Sequence, residues 1–289
     1  MGVNVLIKIK ENLELLSKSE RKLAEWILQY PKDVIHMTVT GLAKEANSSP
    51  ATIVRLCHSL GLAGFPDLKL QLSAIPEQVA EDLLTDIVPD ESLDQLKKKL
   101  RVKLDYAFDE TVERLKNKEL EQALAWMRET TVFYTYGLGA SGLVANDIYQ
   151  KLSRIGRSVM NEQDHHLLAT AMVTQQAPAL LFAISNSGEK PEVLKLMEVA
   201  KNKGIKVVGL TSRRDSTLAK QADVTLLTAT GGEAPLRSSA TNSLLVQLFA
   251  VDILFSAFAS QEYEYSLQKL NDSKEVISQY FEKSSRCDS

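Results

Sequence analysis

Five consecutive apolar residues, Leu180-Leu181-Phe182-Ala183-Ile184, run without a break into Ser185-Asn186-Ser187-Gly188-Glu189-Lys190-Pro191. A half-exposed strand would alternate apolar and polar positions, so an unbroken run suits a strand covered on both faces, as in a parallel sheet. The apolar character stops at two serines and a glycine, and Pro191 fits the first turn of a helix expected over 192–203. Strand-to-helix turns of this kind are where parallel α/β sheets bind ligands. Free backbone N–H groups at a helix N-terminus favour an anion, and the hydroxyls of Ser185 and Ser187, with Asn186 and Lys190 beside them, can donate to its oxygens. The plain alternative is a surface turn whose serines only cap the helix.

Strands expected over 131–136, 157–160, 206–210 and 224–227 alternate with helices over 142–154, 165–175, 192–203 and 243–258, the pattern of a doubly wound parallel sheet. The first strand ends in Gly137-Leu138-Gly139-Ala140-Ser141-Gly142. That matches the dinucleotide-binding fingerprint, with Glu162 about twenty residues further on, so a nicotinamide or flavin enzyme is one reading. The other is a single phosphate held by two neighbouring loops, Gly139 and Ser141 in one and Ser185 with Ser187 in the other. A second hydroxyl-rich loop would be redundant for a pyrophosphate already held by the first, which favours a phosphosugar.

The N-terminal quarter has a different rhythm. Residues 3–30 are helical by period, with Leu13, Leu16, Leu23, Trp26 and Ile27 in one stripe and Ser17-Lys18-Ser19-Glu20 as a cap between two helices; Pro31 ends the second. A short helix over 37–46, the turn Asn47-Ser48-Ser49-Pro50 and a helix over 51–60 closed by Gly61 make a helix-turn-helix pattern. In the second helix, Ala51, Val54, Cys57 and Leu60 are expected to be buried, leaving Ser48, Ser49, Thr52, Arg55, His58 and Ser59 outward. Arg55 suits a guanine edge or a phosphate, Thr52 or Ser49 a base or phosphate oxygen, and Lys44 and Lys69 the DNA backbone. An ordinary helical bundle is the bland alternative.

Charge divides the same way. Residues 1–76 carry nine Lys or Arg against seven Asp or Glu, while the rest of the 289-residue chain carries 25 against 30. A slightly basic reader joined to an acidic small-molecule domain has this asymmetry. The expected organisation is a helix-turn-helix domain over 1–76, an acidic connection over 77–90 and an α/β domain with flanking helices over 91–289. Leu93, Leu96, Leu100, Leu104 and Phe108 form a stripe for packing on the domain or on a second subunit. No apolar run is expected to cross a bilayer, and Lys8, Lys10 and Glu11 interrupt the only early one, so a cytoplasmic protein is expected. Cys57 and Cys287 are too far apart in character for a disulfide framework.

With Ser19-Glu20-Arg21-Lys22-Leu23-Ala24, the stretch from Asn47 to Cys57 and Leu60-Gly61-Leu62-Ala63-Gly64-Phe65 in the first part, the chain resembles the RpiR/MurR family of bacterial transcription regulators. The second part adds Gly137 to Ser141, Ser185 to Glu189 and Glu233-Ala234-Pro235-Leu236-Arg237-Ser238. The resemblance spans nearly the whole chain and is closer to the MurR-like branch. It implies an all-α helix-turn-helix domain followed by a sugar isomerase (SIS) domain of the α/β class that senses a phosphosugar, in a homodimer or tetramer, without cofactor or membrane. Ser141, Ser185 and Ser187 become phosphate and sugar ligands, Glu233 faces the sugar, and Asp164, His166 and Arg237 lie near the pocket. One departure stands out: after Ser-Gly-Glu the family commonly has a threonine, and here Lys190 offers charge in place of a hydroxyl.

Two further readings follow from the same residues. SIS folds also isomerise phosphosugars, and Glu233 with His165 or His166 would serve as acid and base; a helix-turn-helix of 76 residues has no use in such an enzyme. Asp164, His165 and His166 lack a metal-ligand spacing, so no metal is expected. A dimeric regulator implies an operator that is an inverted repeat.

Overall fold

The structure, a computed structural model, describes residues 5–13, 15–73, 90–175, 177–229 and 241–282. The expected connection up to residue 89, Glu233, Arg237 and Cys287 lie outside the described residues. The chain divides into two compact units, Met1–Glu110 with Gly231–Ser238, and Thr111–Thr230 with Ser239–Ser289.

In the first unit α1 (Val5–Asn12), α2 (Lys18–Gln29), α3 (Pro31–His36), α4 (Val39–Glu45), α5 (Pro50–Ser59) and α6 (Phe65–Ser73) surround one core of Leu6, Ile9, Leu23, Ile27, Leu42, Ile53, Leu56 and Leu68. Sequence chemistry fixes the helix starts. Ser17 and Glu20 form a reciprocal capping box at α2, and Thr38 caps α4 by accepting from the Gly41 amide. Pro31 was expected to end a helix; it also begins one, because a proline at the first helical position gives up only an amide that would be unpaired anyway. Between α4 and α5 the chain turns at Asn47, φ 45°, a conformation asparagine tolerates. The Ser48 amide donates to the Ala43 carbonyl at 2.8 Å, and Ser49 then caps α5 with Pro50 next.

The face of α5 corrects the sequence reading. Thr52, Ile53, Leu56 and Cys57 are buried, whereas Ala51 and Val54 are exposed. Ile53 and Leu56 bury more apolar area than Ala51 and Val54, so the helix rotates that pair outward.

The division between units falls within α7 (Leu93–Arg114). Its expected stripe is not uniformly covered: Leu93 and Leu100 are exposed, while Lys99 is buried and paired with Glu91 at 2.7 Å.

The second unit is built on a five-stranded parallel sheet, β1 (Val132–Gly137), β2 (Ser158–Asn161), β3 (Ala179–Ile184), β4 (Lys206–Thr211) and β5 (Val224–Leu227), in the order β2-β1-β3-β4-β5. Around it lie α8 (Asn117–Glu129), α9 (Ala140–Arg154), α10 (His165–Thr174), α11 (Pro191–Asn202), α12 (Thr217–Gln221), α13 (Thr241–Gln261) and α14 (Tyr263–Ile277). Strand residues alternate between two cores. Phe133, Leu180, Phe182, Val208 and Leu226 meet Val144, Ile148, Ala250, Leu254 and Phe258 on one face. Tyr134, Leu181, Ala183 and Val207 meet Leu168, Met172, Val193, Met197 and Leu218 on the other. Both faces are covered, which is why β3 reads as an unbroken apolar run.

The expectation that no apolar run could cross a bilayer needs correction. Asn242–Gln261 in α13, mean hydropathy 1.8, has the length and composition for it. Here Ala250, Val251, Leu254 and Phe258 pack into the core on one face of the sheet.

Candidate functional site

The strand order reverses direction at β1 and β3, and ligands of open α/β sheets bind at such a switch point, outside the carboxyl ends of the strands. Gly137 at the end of β1 stands in register with Ile184 at the end of β3. The loop carrying Gly139 and Ser141 therefore lies beside the loop carrying Ser185 to Lys190. Gly139, at φ 59° and ψ −126°, holds a conformation open only to glycine, and a Cβ added there would meet nothing within 4 Å. It precedes α9, whose first turn carries Ser141. Gly188, at φ 68°, is required by contact as well: a Cβ would come within 2.2 Å of the Ser216 hydroxyl.

The second loop is held from below. The Asn186 carbonyl accepts from Thr211 Oγ1 at 3.0 Å, Ser212 Oγ at 2.9 Å and the Ser212 amide at 3.1 Å. Ser185, buried, accepts from the Gly188 amide at 3.1 Å, and Ser187 accepts from the Glu189 amide at 3.4 Å. Each serine keeps its O–H donor for another partner. Lys190, exposed, precedes α11 without a side-chain cap, and after Pro191, which has no amide, the first-turn amides of Glu192 and Val193 have no intrahelical acceptor. Glu189 is turned away, accepting from the Thr217 amide at 2.7 Å, which holds its carboxyl below the ordinary range.

Sequence reasoning missed one residue here. Gln247 on α13 is 1% exposed, its Oε1 lies 3.5 Å from Ser141 Oγ, and its Nε2 has no hydrogen-bond partner among the described residues. Asn186 Oδ1 and Thr228 Oγ1, just after β3 and β5, are likewise buried and without a partner among the described residues. Buried polar atoms normally pair, so Gln247 beside Ser141 and Asn186 in the second loop each have bonding capacity left for a polar ligand. Nothing in the apolar run around Gln247 separates it from a core glutamine; only the fold brings it to Ser141.

His166 is exposed at the head of α10, where Asp164 accepts from its amide at 2.8 Å and from that of Leu167. These amides hold the Asp164 carboxyl below its ordinary range. Tyr136, buried at the end of β1, has its hydroxyl pushed up by burial and then by the charges of Glu192 and Asp164. Glu233 and Arg237 lie outside the described residues. A cavity of about 490 Å³ in this unit lies along the edge strand β5, lined by Arg114, Lys118, Trp126 and Arg214, and shares no residue with the serine loops.

In the first unit the expected DNA-contacting residues are spread over α4, the turn after it, α5 and α6. Lys44 and Arg55 are exposed, Ser48 is half-buried and Ser49 is the exposed helix cap. Thr52 is not outward, as expected, but 4% exposed. Its hydroxyl lies 2.9 Å from Ser49 Oγ and accepts from Arg55 Nη2 at 3.2 Å, so it positions the guanidinium. Lys69 donates to the Met37 carbonyl at 3.0 Å, bracing the bundle. Glu20 ties α2 to α5: besides the cap it accepts from Ser59 Oγ at 2.9 Å, and hydrogen bonds led by Ser17 hold its carboxyl below the ordinary range. Burial pushes the Cys57 thiol up to about 11, which makes it an inert core residue.

Comparison with known proteins agrees with both halves. Residues 3–77 match the helix-turn-helix domain of the rpiR family and residues 128–257 match the SIS domain. The uncharacterized HTH-type transcriptional regulator YbbH of Bacillus subtilis is 38% identical over 96% of this chain and 98% of its own. A similarly described regulator of Caldanaerobacter subterraneus is 32% identical over 95% of this chain and 97% of its own. The structure of the Vibrio vulnificus NanR protein complexed with ManNAc-6P is 27% identical, with a TM-score of 0.59, over 95% of this chain and 98% of that one. The chain belongs to the RpiR family of helix-turn-helix transcriptional regulators that carry a SIS domain.

Proposed function

We propose that the SIS domain binds a phosphosugar of the hexosamine class and that binding alters the affinity of the helix-turn-helix domain for its operator. The observation that carries this reading is the pair of loops at the β1/β3 switch point. Ser141, Ser185 and Ser187 offer hydroxyls, the N-termini of α9 and α11 offer amides, and Lys190 offers a charge, all suited to one phosphate. Gln247 and Asn186, with unpartnered buried atoms, suit sugar hydroxyls or an N-acyl group. The NanR relative, complexed with ManNAc-6P, gives this class its precedent. From the family resemblance, we propose that Glu233 faces the sugar and that His166 and Arg237 serve near the pocket.

The role is sensing, not catalysis: a regulator needs only a ligand that prefers one arrangement of the protein. Residues 1–76 act as the reader and 77–90 as the connection, in a cytoplasmic homodimer on an inverted repeat. Thr52 positions Arg55, while Ser48, Ser49, Lys44 and Arg55 meet the DNA; Lys69, which braces the bundle through the Met37 carbonyl, turns its remaining N–H donors to the DNA backbone.

A thermal-shift panel tests the ligand class. N-acetylmannosamine 6-phosphate, N-acetylglucosamine 6-phosphate, N-acetylmuramic acid 6-phosphate, their unphosphorylated sugars and NADH are each added to the full chain. A ligand at ~100 times its dissociation constant adds about 2.7 kcal/mol. The expected result is stabilisation by a phosphosugar alone, lost in the Ser185→Ala, Ser187→Ala double variant. Stabilisation by NADH alone would assign the Gly137–Gly142 loop to a dinucleotide instead.

A further inference from the structure

We infer that Val54 reads a thymine methyl group in the major groove, beside the contact made by Arg55; the inference rests on the DNA-binding reading of α5. Ala51, Val54, Arg55 and His58 follow the spacing i, i+3, i+4, i+7 and are all exposed, so they form one stripe on the side of α5 opposite its buried residues. Val54 is 42% exposed, whereas Ile53 and Leu56 on the inner face are 0% exposed. It is therefore no marginal core residue. A single exposed valine on an ordinary surface needs no explanation. This one sits on the second helix of a helix-turn-helix, the element that enters the groove.

Its neighbour is already arranged. Arg55 donates through Nη2 to Thr52 Oγ1 at 3.2 Å, and Thr52 Oγ1 lies 2.9 Å from Ser49 Oγ. The guanidinium is drawn toward the N-terminal end of α5, leaving Val54 beside it as an apolar surface with Ala51 one turn back. In the major groove, thymine alone presents a methyl group, beside its O4 acceptor; the other base edges carry donors and acceptors without it. An isopropyl group satisfies none of these, and covering them would leave buried polar atoms unpaired. Val54 thus selects thymine both by contact with its methyl and by the loss incurred at any other base.

The test uses the full chain and a duplex selected by it from a random-sequence pool. Each thymine of the selected half-site is replaced in turn by deoxyuridine, which removes only the methyl group. At one position the wild-type affinity falls about 4-fold, the effect of burying one carbon group. The Val54→Ala variant, favoured in a helix and altered at an exposed site, folds normally and discriminates less than about 2-fold there. Wild-type binding that is indifferent to every such replacement, or full discrimination retained by Val54→Ala, overturns the inference while leaving DNA binding intact. A wild-type chain that selects no duplex at all overturns the DNA-binding reading and this inference with it.

Discussion

Glu20 uses one carboxylate to start α2 and to hold the far end of α5 through Ser59. Because its folded pKa is depressed, its contribution is fully present above the unfolded value and is lost as pH falls through the folded one. Acidification below about 4.3 should therefore loosen the DNA-reading unit first at this joint. The Glu20→Gln variant should be about 1 kcal/mol less stable at pH 7 and should lose less on acidification than wild type. Denaturant unfolding of a Trp126→Phe chain, followed through Trp26, checks both; an unchanged pH profile in the variant contradicts the assignment. At this scale the sequence was only partly legible. The positions of Ser185, Ser187 and the glycine loop just after strand ends were visible because an apolar run breaks off at hydroxyls and glycines there. Val54 and Thr52 were assigned to the wrong faces because α5 offers two stripes of helical period, and Ile53 with Leu56 decides between them only once a core exists. Gln247 lay hidden inside an apolar helix.

Among the elements, the strands were legible to within a residue or so at each end, since a parallel sheet covered on both sides demands continuous apolar runs that few helices of that length contain. The helix over 31–36 was not, because a proline read as a stop is equally a start. The exposed residues described in α13, Asp252, Ser256, Ser260 and Gln261, are polar, whereas neighbouring α9 leaves Leu143 59% exposed. In the homodimer proposed above, an exposed leucine of this kind suits the contact with a second copy. Leu143→Asp costs little in an isolated chain, where the side chain is already in water, but it should raise the dimer dissociation constant by tenfold or more. Sedimentation of wild type and variant over a concentration series measures this, and identical dimers in both would place the interface elsewhere.

For the whole molecule, the proposed reading gives both units chemistry of the same sign: hydroxyls, amides and Lys190 for the phosphate of a sugar in one, Arg55 and Lys44 for the phosphates and bases of DNA in the other. Coupling between them is reciprocal, so a phosphosugar that weakens operator binding must itself bind less tightly to the DNA complex, and one that strengthens it must bind more tightly. The decisive experiment is a titration of the stabilising phosphosugar into the full chain bound to its selected duplex, read by fluorescence anisotropy of the DNA. The DNA dissociation constant should change at least 5-fold at saturating ligand, in keeping with a coupling of about 1 kcal/mol or more, and should not change in the Ser185→Ala, Ser187→Ala variant. A ligand that binds tightly to wild type and leaves the DNA affinity unaltered would contradict the sensing role.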